Sequence, residues 1–191
     1  MKMRCFYLFA ILSIIFSSCA LLQPPRQPSF NRDEVVIWNE NRKLTWDDFQ
    51  AAPILGVNQS TEILVQMPSS FVKSTLFSPV VTTVECFFDK KRSWVNKAFA
   101  TKVTLQYNQT IFGIYELYAR KLRKKFSETN FGVADPYGVF NGIVNEQRDQ
   151  LMEEIKNYRT ATSSGQDEKA IIIWNGSIAE QLKALEQFKS Q

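Results

Sequence analysis

The chain has 191 residues, of which 45% are hydrophobic, 13% aromatic and 22% charged, with a formal net charge of +4. That length fits one domain, and fifteen Phe and four Trp supply a sizeable core. No dense basic patch with interleaved aromatics occurs, which argues against nucleic-acid binding, and the chain contains no histidine.

Lys2 and Arg4 precede a short apolar run over residues 6–16, too short to span a bilayer as a mature helix. The run ends in Phe16-Ser17-Ser18-Cys19-Ala20. Ser17 and Ser18 are small enough for a signal-peptidase pocket, and the thiol of Cys19 can take a lipid. The pattern resembles a bacterial lipoprotein signal. It predicts a signal peptide over residues 1–18, lipidation with palmitate or a similar chain at Cys19, and a membrane partner reached through that anchor. The expected place is the cell envelope, on the periplasmic face of the outer membrane ahead of the inner one. An ordinary secretory signal cut nearby and a retained anchor helix are the alternatives. Pro24, Pro25 and Pro28 make residues 19–32 a semi-rigid tether, so the folded domain is expected over residues 33–191.

Val35-Val36-Ile37-Trp38 is a strand candidate, and Thr45 is a plausible N-cap for a short turn at Trp46-Asp47-Asp48. Residues 60–66 and 70–76 favour strand. Residues 80–89 give the strongest strand signal, rich in β-branched and aromatic side chains. Cys86 lies in that run. Once Cys5 leaves with the leader, Cys86 is the sole thiol of the domain, so no intrachain disulfide is expected. A nucleophilic thiolate needs a basic partner, and without histidine Cys86 reads as structural. Trp38, Trp46 and Trp94 read as core aromatics, with a binding surface as the alternative.

The second half turns helical. Over residues 102–128, Tyr107, Ile111, Ile114, Tyr118, Leu122 and Phe126 recur at spacings of three and four. Lys121, Arg123, Lys124 and Lys125 sit where they complement the helix dipole and read as a solvated end; an anion or membrane-surface patch is the alternative. Residues 140–158 predict a second helix with Ile143, Gln147, Leu151, Ile155 and Tyr158 on one face. Residues 160–169 read as a polar loop, and residues 170–174 as a strand or a helix lead-in. Ser177 to Glu180 match a capping box for a terminal helix carrying Ile178, Leu182 and Leu185. The fold class expected is α+β: an N-terminal, mostly antiparallel sheet packed against three C-terminal helices.

Trp38, Arg42, Leu44, Trp46, Asp48 and Phe49, then Ser93-Trp94-Val95, then the helix from Gln109 to Arg120, carry a family resemblance over residues 34–188. The chain resembles the bacterial secreted zinc-protease family termed domain of unknown function 922. That family's helix reads about Leu-x-His-Glu-Gln-x-His-Phe-Asp-Ile-x-Glu-x-Tyr-Ala-Arg. Here Leu105, Gln109, Phe112, Ile114, Glu116, Tyr118, Ala119 and Arg120 match. In His-Glu-x-x-His, two imidazoles one helical turn apart reach one zinc ion, and the glutamate polarises the attacking water.

The departures fall on the chemistry. By the resemblance, Tyr107 and Ile111 stand at the two ligand positions, Asn108 at the general base, Gly113 at a further acid, and Ser164 at a third histidine. Ile111 cannot ligate, and Tyr107 is a weak ligand unless its pKa falls. No metal, cofactor or catalytic residue is therefore expected. Tyr107, Ile111, Ile114 and Tyr118 share a face that either closes a core or leaves an apolar groove for a peptide or protein segment. Arg42 and Arg120 are candidate braces to Asp48 or Glu116. The expected function is that of a non-catalytic, lipid-anchored pseudoprotease with a binding or structural role. The alternatives are a small-ligand binder, or a hydrolase using Ser163 or Ser164 with a lysine, or a carboxylate pair.

Overall fold

A computed structural model describes residues 30–54, 56, 60–75 and 78–190. The expected signal peptide, Cys19 and the tether as far as residue 29 lie outside the described residues. Packing is already present at Phe30, whose ring lies 4.3 Å from that of Phe87.

Seven short strands precede three long helices among the described residues. The strands are β1 Val35–Ile37, β2 Thr61–Glu62, β3 Val65–Gln66, β4 Ser69–Val72, β5 Val81–Val84, β6 Phe87–Asp89 and β7 Trp94–Val95. They form the sheet β1-β6-β3 and the pairs β2-β7 and β4-β5, with antiparallel pairing throughout. The helices are α1 Lys102–Glu128, α2 Pro136–Ala161 and α3 Glu168–Ala184. The class is α+β, as expected. No helix among the described residues is long and apolar enough to cross a membrane.

The run expected as one strand over residues 80–89 divides into β5 and β6, which serve different sheets. Cys86, Phe87 and Phe88 are buried in succession. A flat strand turns alternate side chains to opposite faces, so three consecutive buried residues require the chain to pass between layers. Residues 60–66 divide for the same architectural reason: β2 pairs with β7, and β3 with β6.

α1 has the expected bounds, whereas α2 and α3 run longer than their periodicity suggests. Asp135 caps α2 by accepting from the Gly138 amide at 2.8 Å, and Pro136 occupies the first helical position, where its missing N–H costs nothing. In α3, Asp167 is the cap and Ser177 an interior, exposed residue, so the capping box at Ser177 is not used. Ile171, Ile178 and Leu182 form one buried stripe across both halves of α3, which favours a single helix over a strand followed by a helix.

α1 is the central element and separates two apolar clusters. Phe112, Leu122 and Phe126 pack with Phe88, Phe140 and Ile143 on one side. Tyr107, Ile111, Ile114 and Leu117 pack with Leu151, Ile155, Ile171 and Ile178 on the other. The tryptophans pack separately rather than as one surface. Trp94 is buried, Trp38 meets Phe112 edge-on at 5.0 Å, and Trp46 leans on Phe49 at 5.0 Å. Cys86 is buried, and desolvation together with the Glu116 charge pushes its thiol up, away from reactivity.

Both candidate braces form. Arg42 Nη2 lies 2.6 Å from Asp48 Oδ1. Glu116, with a fully buried side chain, receives Arg120 Nε and Arg123 Nη1 at 3.0 Å each. The guanidiniums then reach outward: Arg120 donates to the Leu182 carbonyl at 2.6 Å, and Arg123 to the Val84 and Phe188 carbonyls at 3.0 Å. Arg123 is thus no solvated helix end. It ties α1 to β5 and to the C-terminal turn. Glu116→Ala leaves Arg123 without a counter-ion and Arg120 with only the half-exposed Glu186, 3.3 Å away, and loss of a buried ion-pair partner costs about 3–5 kcal/mol. A fall of that size in urea-unfolding stability is expected.

Candidate functional site

Thr101 caps α1 by accepting from the Thr104 amide at 3.1 Å, which starts the helix one turn before Tyr107, Asn108 and Ile111. A cavity of about 840 Å³ opens beside these residues. Tyr107, Asn108, Ile111 and Ser164 all line it. Ser164 arrives from the turn between α2 and α3, more than fifty residues further along the chain, so the resemblance-derived positions converge in space.

The wall is held firmly. The Tyr107 ring stacks on Tyr158, with centroids 5.1 Å apart and planes at 19°. Tyr158 Oη donates to the Tyr107 carbonyl at 3.2 Å. A Cβ on Gly165 would stand 3.0 Å from the same ring, so only glycine lets the turn come this close. Ser163, Ser164 and Gly165 take successive φ values of 48°, 53° and 95°. Left-handed backbone is ordinary for glycine and strained for serine, and it needs surrounding support. Thr162 supplies it: its buried carbonyl accepts the Gly165, Gln166 and Asp167 amides at 3.0 Å each, and its hydroxyl donates to the Tyr158 carbonyl at 2.7 Å.

The side chains at the ligand positions do not fit zinc. Asn108 Nδ2 donates to Thr61 Oγ1 at 3.2 Å, and Thr61 Oγ1 donates to the Trp94 carbonyl at 3.0 Å, so the amide links α1 to β2 and β7. Ile111 presents only hydrocarbon. Burial pushes the Tyr107 phenol above its usual range despite the opposing influence of the nearby Arg159 guanidinium. A neutral phenol, a committed amide and an alkyl group cannot supply the nitrogen-rich tetrahedron that zinc prefers. Among the described residues no three His, Cys, Asp or Glu side chains gather where they could hold a metal ion.

The groove residues separate into two sets. Tyr107 and Ile111 line the cavity. Ile114 and Tyr118 do not, because α2 and α3 close over the helix one to two turns beyond. The cavity is also more polar than the apolar groove that stood as the alternative to a closed core. Glu62, Asn96, Arg159 and Gln166 contribute to its walls, and none of them was singled out from sequence. Arg159 directly follows Tyr158, the last residue of the expected second helix, and that adjacency is the one sequence signal for it. Nothing local marks Glu62 or Asn96, since β2 and β7 bring them in by pairing.

No family model, no curated protein and no solved structure matches the chain.

The stacked tyrosines make stability depend on alkaline pH. Burial raises Tyr107 and Tyr158 above the ordinary 10.0, so the native state keeps protons that the unfolded chain releases. Their contribution is whole below pH 10 and is lost as pH rises through the folded values. A urea midpoint that drops above that pH is expected, with a shallower drop in Tyr107→Phe. Ultraviolet phenolate absorbance should show the same late ionisation.

Proposed function

We propose that this protein is a non-catalytic relative of secreted zinc proteases, lipid-anchored in the bacterial envelope, whose cleft holds a peptide or protein segment. One observation carries the reading. Tyr107, Asn108, Ile111 and Ser164, the positions assigned by the resemblance to three ligands and a base, meet at one cavity with no adequate donor among them. A protease that lost only its chemistry would keep such a cleft and replace the ligands with packing and hydrogen bonds.

The replacements fit that account. Stacking of Tyr107 on Tyr158, burial of Ile111 and the Asn108–Thr61 hydrogen bond each stabilise the cleft wall without an ion. The remaining polar lining suits hydrogen bonds to an extended backbone. A serine hydrolase is poorly supported: Ser164 lines the cavity, but no lysine among the described residues does. The membrane assignment rests on the Ser17-Ser18-Cys19 pattern, with Cys19 as the lipid acceptor.

The purified protein is expected to carry no stoichiometric zinc and to cleave no peptide; either activity overturns the proposal. Reinstalling the donors gives a positive test. A variant with Tyr107→His, Asn108→Glu, Ile111→His and Ser164→His should bind one zinc ion per chain, measured by metal analysis after dialysis. A folded variant that binds none would show that these positions are not a former metal site. Labelled palmitate should enter the wild type and be lost in Cys19→Ser.

A further inference from the structure

Arg159 stands on the last turn of α2, exposed, at the wall of the cleft. A cation there complements the carbonyl end of the helix, which accounts for its charge but not for its surroundings. It forms no ion pair with any described residue. Its guanidinium sits beside the Tyr107 hydroxyl. That hydroxyl belongs to a ring fixed by Tyr158 and by the close approach of Gly165, so its position is set before any ligand arrives.

The chemistry around this pair is rich in donors. A guanidinium presents a planar fork of N–H groups that matches a carboxylate two-to-two, and a phenol adds an O–H. Gln166 and Asn96 bring amides to the same cavity. The volume, about 840 Å³, lies toward the upper end of the roughly 300–1,000 Å³ found for small-ligand sites, and so exceeds what a lone anion fills. Glu62 is the single acidic residue of the lining among the described residues. It disfavours a ligand carrying many negative charges and leaves room for one.

From this arrangement we propose that the cleft recognises the C-terminal carboxylate of a peptide, gripped by Arg159 and the Tyr107 hydroxyl, with the preceding residues lying along the polar wall. The inference rests on the reading of the cleft as a peptide-binding site and adds to it an end and a direction. Arg159 is the principal contact, and Tyr107 adds one hydrogen bond. Lysine in place of Arg159 keeps the charge and loses the fork, so it substitutes poorly.

The test uses the full chain in detergent micelles and two pools of N-acetylated tripeptides randomised at every position. One pool ends in a free carboxylate and the other in a carboxamide. Binding is read by calorimetry and by the nitrogen–proton resonance of the Arg159 side chain. The carboxylate pool should bind at least about tenfold more tightly than the carboxamide pool, which corresponds to about 1.4 kcal/mol. Arg159→Gln, at an exposed position that leaves the fold intact by circular dichroism, should abolish that difference. Tyr107→Phe should reduce it severalfold. Equal affinity for the two pools overturns the carboxylate assignment and leaves the peptide cleft standing. Binding of neither pool overturns both. Acetate binding as tightly as the tripeptides overturns the peptide part, and discrimination that survives in Arg159→Gln removes Arg159 from the site.

Discussion

One carboxylate organises this molecule. Glu116 lies in the middle of the central helix with no solvent, held by two guanidiniums from the next two turns. An isolated ion in that place would be intolerable. Its neutralisation by Arg120 and Arg123 frees their remaining N–H groups to bond carbonyls on β5, at the end of α3 and in the C-terminal turn. The cost of burying charge is offset by joining three separate chain segments to one helix. Strands of two to four residues have little stability of their own. Here they are fastened to something rigid.

That fastening explains how an open cleft coexists with a packed interior. α1 is buried along both flanks, so residues on its first two turns are positioned by the packing of those that follow. Tyr107 and Asn108 need no metal to be held. One is stacked on α2, and the other is hydrogen-bonded to β2. The strained serines between α2 and α3 are tolerated because Thr162 gathers three amides on one carbonyl. Those three hydrogen bonds keep the turn seated on the Tyr107 ring, which is what shapes that end of the cleft.

Sequence reading reached the central helix to its ends, because its apolar residues repeat at spacings of three and four without a break. Tyr107, Asn108, Ile111 and Ser164, grouped only by the family resemblance from two separate segments, line one cavity. Sequence reading failed where local signals compete. Cys86-Phe87-Phe88 has strong strand propensity, but burial of all three bends the chain between sheets. Ser177 and Glu180 imitate a cap, but Asp167 starts the helix ten residues earlier and the stripe from Ile171 to Leu182 carries it through. The polar side of the cleft was not legible, because Glu62 and Asn96 join it only through the β2–β7 pairing.

Cys86 has a practical consequence. It is the one free thiol among the described residues and is sealed between the sheet and α1. An alkylating reagent cannot reach it unless those layers part. The rate of its modification is therefore a clock for how often the domain breathes open, readable by mass spectrometry without any introduced label.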